Sequence, residues 1–129
     1  MLAALLSKYG LVRREMPSDG DCLFHALALF FSDTDASQMR TLCVQYVAQN
    51  PETFATDIGA EYNCSVPIYC QNMNKPHTFG DAIMIQAFCL AFDMKVWLFM
   101  PTGVTDLGGG TKNIALIRLG QHYEAAVPR

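Results

Sequence analysis

Apolar residues along this chain repeat in two ways, at helical spacing in some segments and as short alternating or continuous runs in others. Leu23, Ala26, Leu27 and Phe30 fall at i, i+3, i+4 and i+7, which lays one apolar stripe along a helix from Cys22 to about Ser32. Met39, Leu42, Cys43, Tyr46 and Val47 repeat in the same manner, and Asp35 with Gln38 forms a capping box at the start of that second helix. The helix ends at Asn50-Pro51, because proline disfavours helical geometry in the residue before it. Pro51 in turn opens a shorter helix with Phe54 and Ile58 pointing inward. Residues 82–93 are apolar almost all round, as in a helix buried between layers, and Thr78 with Asp81 supplies its capping pattern. Lys95 to Met100 is aromatic and β-branched in part and bounded by Asp93 and Pro101, which predicts a central strand. Asn113 to Leu119 and His122 to Val127 read as antiparallel neighbours joined by a tight turn at Gly120-Gln121.

The remaining segments are less regular. Residues 2–9 form a weak helix broken by Gly10, and Leu11 to Met16 reads as a strand or an extended entry into the turn before Cys22. Residues 59–77 lose periodicity and are expected to be a long irregular segment, either a wall of a substrate cleft or a surface loop that closes the chain. Gly108-Gly109-Gly110 fits a hairpin tip, since no phosphate-binding glycine pattern surrounds it. Together these elements predict an α+β fold with a small mixed or antiparallel sheet flanked by helices.

Composition narrows the function classes. The chain has 129 residues, 51% of them apolar, enough for a single compact domain over 1–129 and too few for two. A net charge of −3 without a Lys/Arg cluster argues against a nucleic-acid partner. The longest apolar run, Ala82 to Phe92, is interrupted by Gln86 and falls well short of the roughly 20 residues needed to span a bilayer, so no membrane partner is expected and a soluble monomer is. Residues 1–8 lack the basic leading segment of a secretory signal. Five cysteines, an odd number, point to free thiols in a reducing compartment, most simply the cytoplasm. The close spacings Cys22-x-x-His25 and Cys64-x5-Cys70 are not repeated as second half-sites, so no metal or other cofactor is expected. Cys43 and Cys89 lie in apolar stripes and read as core residues.

The chemistry concentrates at two distant places. Asp19-Gly20-Asp21 is a turn that runs directly into the helix starting at Cys22, and a helix N-terminus stabilises a thiolate, which is expected to lower the thiol pKa. The backbone N–H groups of Asp19, Gly20, Asp21 and Cys22 are candidates for an oxyanion hole. Near the other end, His122 and Glu124 project to the same face of a strand, so the carboxylate can hold the imidazole. Cys22 as nucleophile, His122 as base and Glu124 as orienter make a complete set for acyl transfer. His25, on the same helix as Cys22, is a weaker choice of base, because an imidazolium is disfavoured at a helix start.

Asp19-Gly20-Asp21-Cys22-Leu23-Phe24 and His122-Tyr123-Glu124 resemble the two motifs of the ovarian tumour (OTU) family of cysteine peptidases, with Thr78-Phe79-Gly80-Asp81 through Val96-Trp97-Leu98 similar to its intervening segment. The resemblance implies a papain-like arrangement and a deubiquitinase acting after the C-terminal Gly-Gly of ubiquitin or a ubiquitin-like protein, with that modifier as partner. It also implies that Asp19 supports the oxyanion hole or the histidine, and it marks one departure, since Glu124 stands where the family usually has Asp or Asn. Phe79, Gly80, Trp97 and Tyr123 are the candidate substrate-binding residues, with core packing the competing role for Trp97. The small size suggests a domain excised from a longer polypeptide of viral or bacterial origin, which would act in the host cell cytoplasm. Polyprotein processing, a non-catalytic ubiquitin-binding module and a zinc-binding adaptor are the competing readings.

Overall fold

The computed structural model describes residues 1–129. Its elements are α1 (Leu2–Lys8), β1 (Leu11–Arg14), α2 (Cys22–Ala28), α3 (Ala36–Gln49), α4 (Pro51–Tyr62), α5 (Val66–Met73), α6 (Ala82–Phe92), β2 (Met94–Met100), β3 (Gly103–Leu107), β4 (Lys112–Leu119) and β5 (His122–Pro128). One mixed five-stranded sheet runs in the order β1-β5-β4-β2-β3, with β2 and β4 parallel and the other pairs antiparallel. The α+β architecture of helices around a small mixed sheet is therefore present. No helix is long and apolar enough to cross a membrane.

Apolar alternation decides which element covers which face. Val96, Leu98, Leu116 and Ala125 join residues of α2 to α6 in the main core, while Phe99, Ala115, Ile117 and Ala126 meet Leu6 of α1 in a smaller cluster on the other face. Four phenylalanines, Phe24, Phe54, Phe88 and Phe99, are fully buried, and each contributes on the order of 1.5–3 kcal/mol by leaving water. The capping box of Asp35 and Gln38 is formed in both directions, and Pro51 opens α4.

Five expectations need correction. Residues 59–77 are largely helical: α4 continues to Tyr62, Asn63 ends it in the left-handed conformation, and Ser65 caps α5 by accepting from the Ile68 N–H. Their polar turn residues are caps, so two helix ends in close succession read as loss of periodicity. At α6 the cap is Asp81 itself, which accepts from Met84 N–H at 2.9 Å, and Thr78 lies outside the helix. The first helix of the main core stops at Ala28, short of Ser32. In α3 the buried face is Met39, Arg40, Cys43, Val44 and Val47, with Leu42 exposed. Finally, the hairpin tip is Pro101-Thr102, between β2 and the unanticipated β3. The glycine run instead returns the chain against the start of β2, where a Cβ on Gly110 would lie 2.2 Å from the Asp93 carbonyl carbon.

Candidate active site

The pairing of β1 with β5 stops at Arg14 opposite Ala125, so the outward backbone of β5 before that point has no strand beside it. Cys22 fills this position. Its Sγ accepts the Tyr123 N–H at 3.3 Å and lies 3.9 Å from the Gln121 carbonyl oxygen. The thiol thus rests against the two peptide groups that flank His122, although a hundred residues of chain separate them. Two motifs from opposite ends of the sequence share one site because α2 packs on β5.

His122 is held from one side. Its Nε2 is 2.9 Å from Glu124 Oε2, and its Nδ1 is buried without any partner. An ionised carboxylate only accepts, so Nε2 carries a ring proton and donates it to Glu124. A buried polar atom left unpaired costs about 1–3 kcal/mol, and such a group calls for a functional explanation. Glu124 is 2% exposed. Burial by itself would raise its carboxyl, but hydrogen bonds from Arg13 and His122 hold it below the ordinary carboxylate range. The longer Glu side chain therefore reaches the imidazole from the same strand.

The Cys22 thiol behaves differently from the sequence expectation. It is fully buried, and desolvation raises it above its ordinary value, outweighing the Tyr123 and Leu23 N–H groups; the Asp19 charge raises it further. The helix start is present, but burial wins. A thiol in this state ionises by handing its proton to a neighbour.

The turn before Cys22 is pinned by residues that the sequence reading passed over. Asp19 accepts from the Asp21 N–H at 3.0 Å and makes no bond to His122, so Glu124 is the carboxylate that meets the imidazole. The Cys22 N–H goes to the Asp19 carbonyl at 3.3 Å, and the Asp21 N–H is taken by the Asp19 carboxylate. Of the four amides named for an oxyanion hole, those of Asp19 and Gly20 have no acceptor within the chain. Gly20 is required by close approach, because a Cβ there would lie 1.6 Å from the His77 carbonyl oxygen.

Arg40, 4% exposed, ties the whole turn down. Its guanidinium donates to Asp21 Oδ1 (2.7 Å), Gly20 O (3.2 Å), Met73 O (2.8 Å) and Thr78 O (2.8 Å), and lies 4.2 Å from the centre of the Phe24 ring. Asp21 also accepts from the His77 N–H at 3.0 Å and pairs with His77 Nδ1 at 2.7 Å. Burial would raise the Asp21 carboxyl, yet Arg40 and the His77 amide hold it below the ordinary range. A signal for Arg40 was available in the sequence: a lone arginine at i, i+3 and i+7 from Cys43 and Val47 lies on an apolar face, where it demands partners. Asp19, Asp21 and His77 also bring metal-ligand atom types within 4.8 Å of one another, but both Asp21 oxygens are already committed to Arg40 and His77.

A groove of about 780 Å³ opens beside the site. Tyr62, Phe79, Gly80, Leu90, Gln121 and Tyr123 are among its lining residues, and Gln121 and Tyr123 are the two whose peptides meet the Cys22 thiol. Tyr62 and Tyr69 both donate to the Asp81 carboxylate, which fastens α4 and α5 to the start of α6 and so sets one wall. Burial, followed by the Asp81 charge and hydrogen bond, pushes both phenols upward, so they remain neutral donors. Three of the four candidate substrate residues, Phe79, Gly80 and Tyr123, line this groove. Trp97 does not. It donates to Asn113 Oδ1 at 3.0 Å and lines a separate apolar recess with Tyr9, Leu11 and Phe99 on the α1 face, because strand alternation turns it away from the main core.

Several known proteins resemble the chain. The family described as OTU-like cysteine protease matches residues 17–123. OTU domain-containing protein 4 of Mus musculus is 26% identical over 132 residues, covering 97% of this chain and 12% of that protein. The OVARIAN TUMOR DOMAIN-containing deubiquitinating enzyme 2 of Arabidopsis thaliana is 30% identical over 123 residues, covering 89% of this chain and 57% of that protein. The chain thus spans only a fraction of the length of these relatives. A solved ovarian tumour (OTU) domain in complex with ubiquitin superposes with a TM-score of 0.77 at 22% identity, covering 91% of this chain and 69% of that one.

Proposed function

The chain belongs to the family of OTU-like cysteine proteases, and from that premise we propose that it hydrolyses the peptide or isopeptide bond after the C-terminal Gly-Gly of ubiquitin or a ubiquitin-like protein. One observation carries the reading. The Cys22 thiol is lodged against the peptides flanking His122, whose Nε2 is fixed by Glu124 and whose buried Nδ1 has no other partner.

In this reading Nδ1 takes the Cys22 proton as sulfur attacks the scissile carbonyl carbon, and Glu124 stabilises the imidazolium that forms. Charge developing on the carbonyl oxygen is met by the unpaired amides of Asp19 and Gly20. Collapse breaks the C–N bond while His122 returns the proton to the leaving amine, leaving a thioester on Cys22. Water then attacks with its proton passing to His122, and the acid leaves as the thiol re-forms. The raised thiol and the unpartnered Nδ1 suit a nucleophile that ionises within the complex instead of standing as a free thiolate.

Ubiquitin as substrate is supported by family membership and by the fold shared with an ubiquitin-bound domain. The groove adds a physical reason, since Gln121 and Tyr123, whose peptides meet the Cys22 thiol, also line it and bring it to the sulfur. All five cysteines are unpaired, which fits a reducing setting such as the cytosol. The test is ubiquitin carrying a short C-terminal peptide, with products identified by mass spectrometry. Cleavage after the second glycine by the native chain, absent in Cys22→Ala, is expected. Binding without any cleavage would show a recognition module instead.

A further inference from the structure

We propose that Arg13 is a positioning residue for the His122–Glu124 pair, a fourth member of the site that fixes the glutamate's two oxygens so that one of them always faces the imidazole. The inference rests on the functional reading above and concerns a residue that neither motif contains.

Its basis is geometric. Arg13 stands opposite Ala126 in the β1–β5 pairing, and the two-residue period puts Glu124 on the same face of β5 as Ala126. From that diagonal position the guanidinium meets the carboxylate as a fork: Nε donates to Oε1, and Nη2 donates to Oε2 at 3.1 Å. Oε2 is the atom that holds His122 Nε2. A glutamate has one more torsion than the Asp or Asn expected at this position, and a planar two-pronged partner removes that added freedom. The arginine is itself half-exposed, its side chain 45% accessible, whereas that of Glu124 is 3% accessible. The clamp therefore reaches inward from the rim of the sheet.

The charged surroundings of Glu124 are few. β1 presents Arg13, with Glu15 4.0 Å from Arg13, and β5 presents His122. β4 places uncharged Ile117 opposite Glu124, and α2 brings the Cys22 thiol against the peptides beside His122, with Asp19 preceding it. Loss of Arg13 removes the single permanent positive charge on the carboxylate. Burial then raises Glu124 with only His122 opposing it, so the carboxylate is protonated at higher pH and can no longer hold the imidazolium.

The test compares native chain, Arg13→Gln and Arg13→Lys in two pH–rate profiles. One is kcat/KM for ubiquitin C-terminal cleavage, and the other is the rate of iodoacetamide alkylation at Cys22, followed by peptide mapping and independent of any substrate. Far-UV circular dichroism checks folding. For Arg13→Gln, the acid limb is expected to move to higher pH by on the order of one unit in both profiles. At neutral pH kcat falls about tenfold, with KM within about twofold. Arg13→Lys restores the limb because it keeps the charge, but regains only part of the rate because an ammonium cannot reproduce the fork. An unmoved acid limb in folded Arg13→Gln overturns the proposal, including the case in which the rate falls without any change of profile. Should the native chain cleave no ubiquitin, the alkylation profile still decides the role of Arg13 by itself.

Discussion

Replacing His122 by alanine is expected to lower kcat for ubiquitin C-terminal hydrolysis by about 10³-fold, within the range that a positioned general base contributes. KM should change little, since His122 is not among the residues that line the groove. The reasoning runs from the protonation of the thiol. Cys22 is fully buried and its thiol titrates above the ordinary value, chiefly through desolvation, so near neutral pH almost none is ionised unaided. In the proposed mechanism Nδ1 of His122 takes that proton during attack; in His122→Ala that base is removed. The residual rate should then follow ionisation of the thiol itself and climb with unit slope on raising the pH above about 8. The native profile should be flat over the same interval. Stability is expected to fall by no more than about 1 kcal/mol, because the His122 side chain is 21% accessible and the change also removes an unpaired buried nitrogen. Steady-state kinetics between pH 6 and about 9.5 check both features. Retention of a tenth or more of native kcat in His122→Ala would place the base elsewhere.

The second large effect is on stability. Arg40→Met is expected to destabilise the fold by about 3–5 kcal/mol, the usual cost of removing one partner of a buried ion pair. Met73, Thr78 and Gly20 lose the donor to their carbonyls, and Asp21 loses its charge partner, all at once. Methionine fills the volume over Phe24 but makes none of these bonds, so the loss is polar and not one of packing. Arg40→Lys keeps the charge and serves fewer acceptors, and should lie between the two. The effect depends on pH with a defined sign. Burial raises the Asp21 carboxyl but Arg40 and the His77 amide hold it below its ordinary value. Its contribution is therefore complete above the unfolded carboxylate range near about 3.9 and is lost as pH falls through the depressed folded value. Urea denaturation at neutral pH should show the full deficit, and the gap between native and Arg40→Met should narrow in strong acid. A difference below about 1 kcal/mol at neutral pH would contradict this role for Arg40.

Much of the architecture was legible because helical and strand periods survive in the buried segments. The stripe from Leu23 to Leu27, the all-apolar run at α6 and the antiparallel pair around Gly120-Gln121 each formed where their patterns indicated. The failures have physical causes. Segment 59–77 contains two helix ends and two caps within a few residues, so Asn63 and Ser65 look like loop residues while they serve as terminators and starters. β3 alternates weakly and lies at a sheet edge with most of its residues partly or fully accessible, which leaves no apolar signature.

At the site, Cys22, His122 and Glu124 were legible because the chemistry requires those residue types in a recognisable order. The residues that hold them were not. Arg13 and Arg40 act through pairings 111 and 19 positions away, and long-range register is invisible to a local pattern. The thiol illustrates a competition between two effects: a helix start lowers it, full burial raises it, and only the folded structure says which is larger. Trp97 shows the same limit in another form, since strand parity decides its face and a shift by one residue would have sent it to the other.

The central claim, that Cys22 and His122 together form a thiol active site for a ubiquitin tail, is tested most directly with ubiquitin bearing a thiol-reactive group in place of its last carboxylate. The native chain should gain the mass of one ubiquitin, with the adduct mapped to Cys22 and to none of the other four cysteines. Capture should vanish in Cys22→Ala and slow sharply in His122→Ala. Labelling at another cysteine, or the absence of an adduct from folded native protein while ubiquitin still binds, would contradict it.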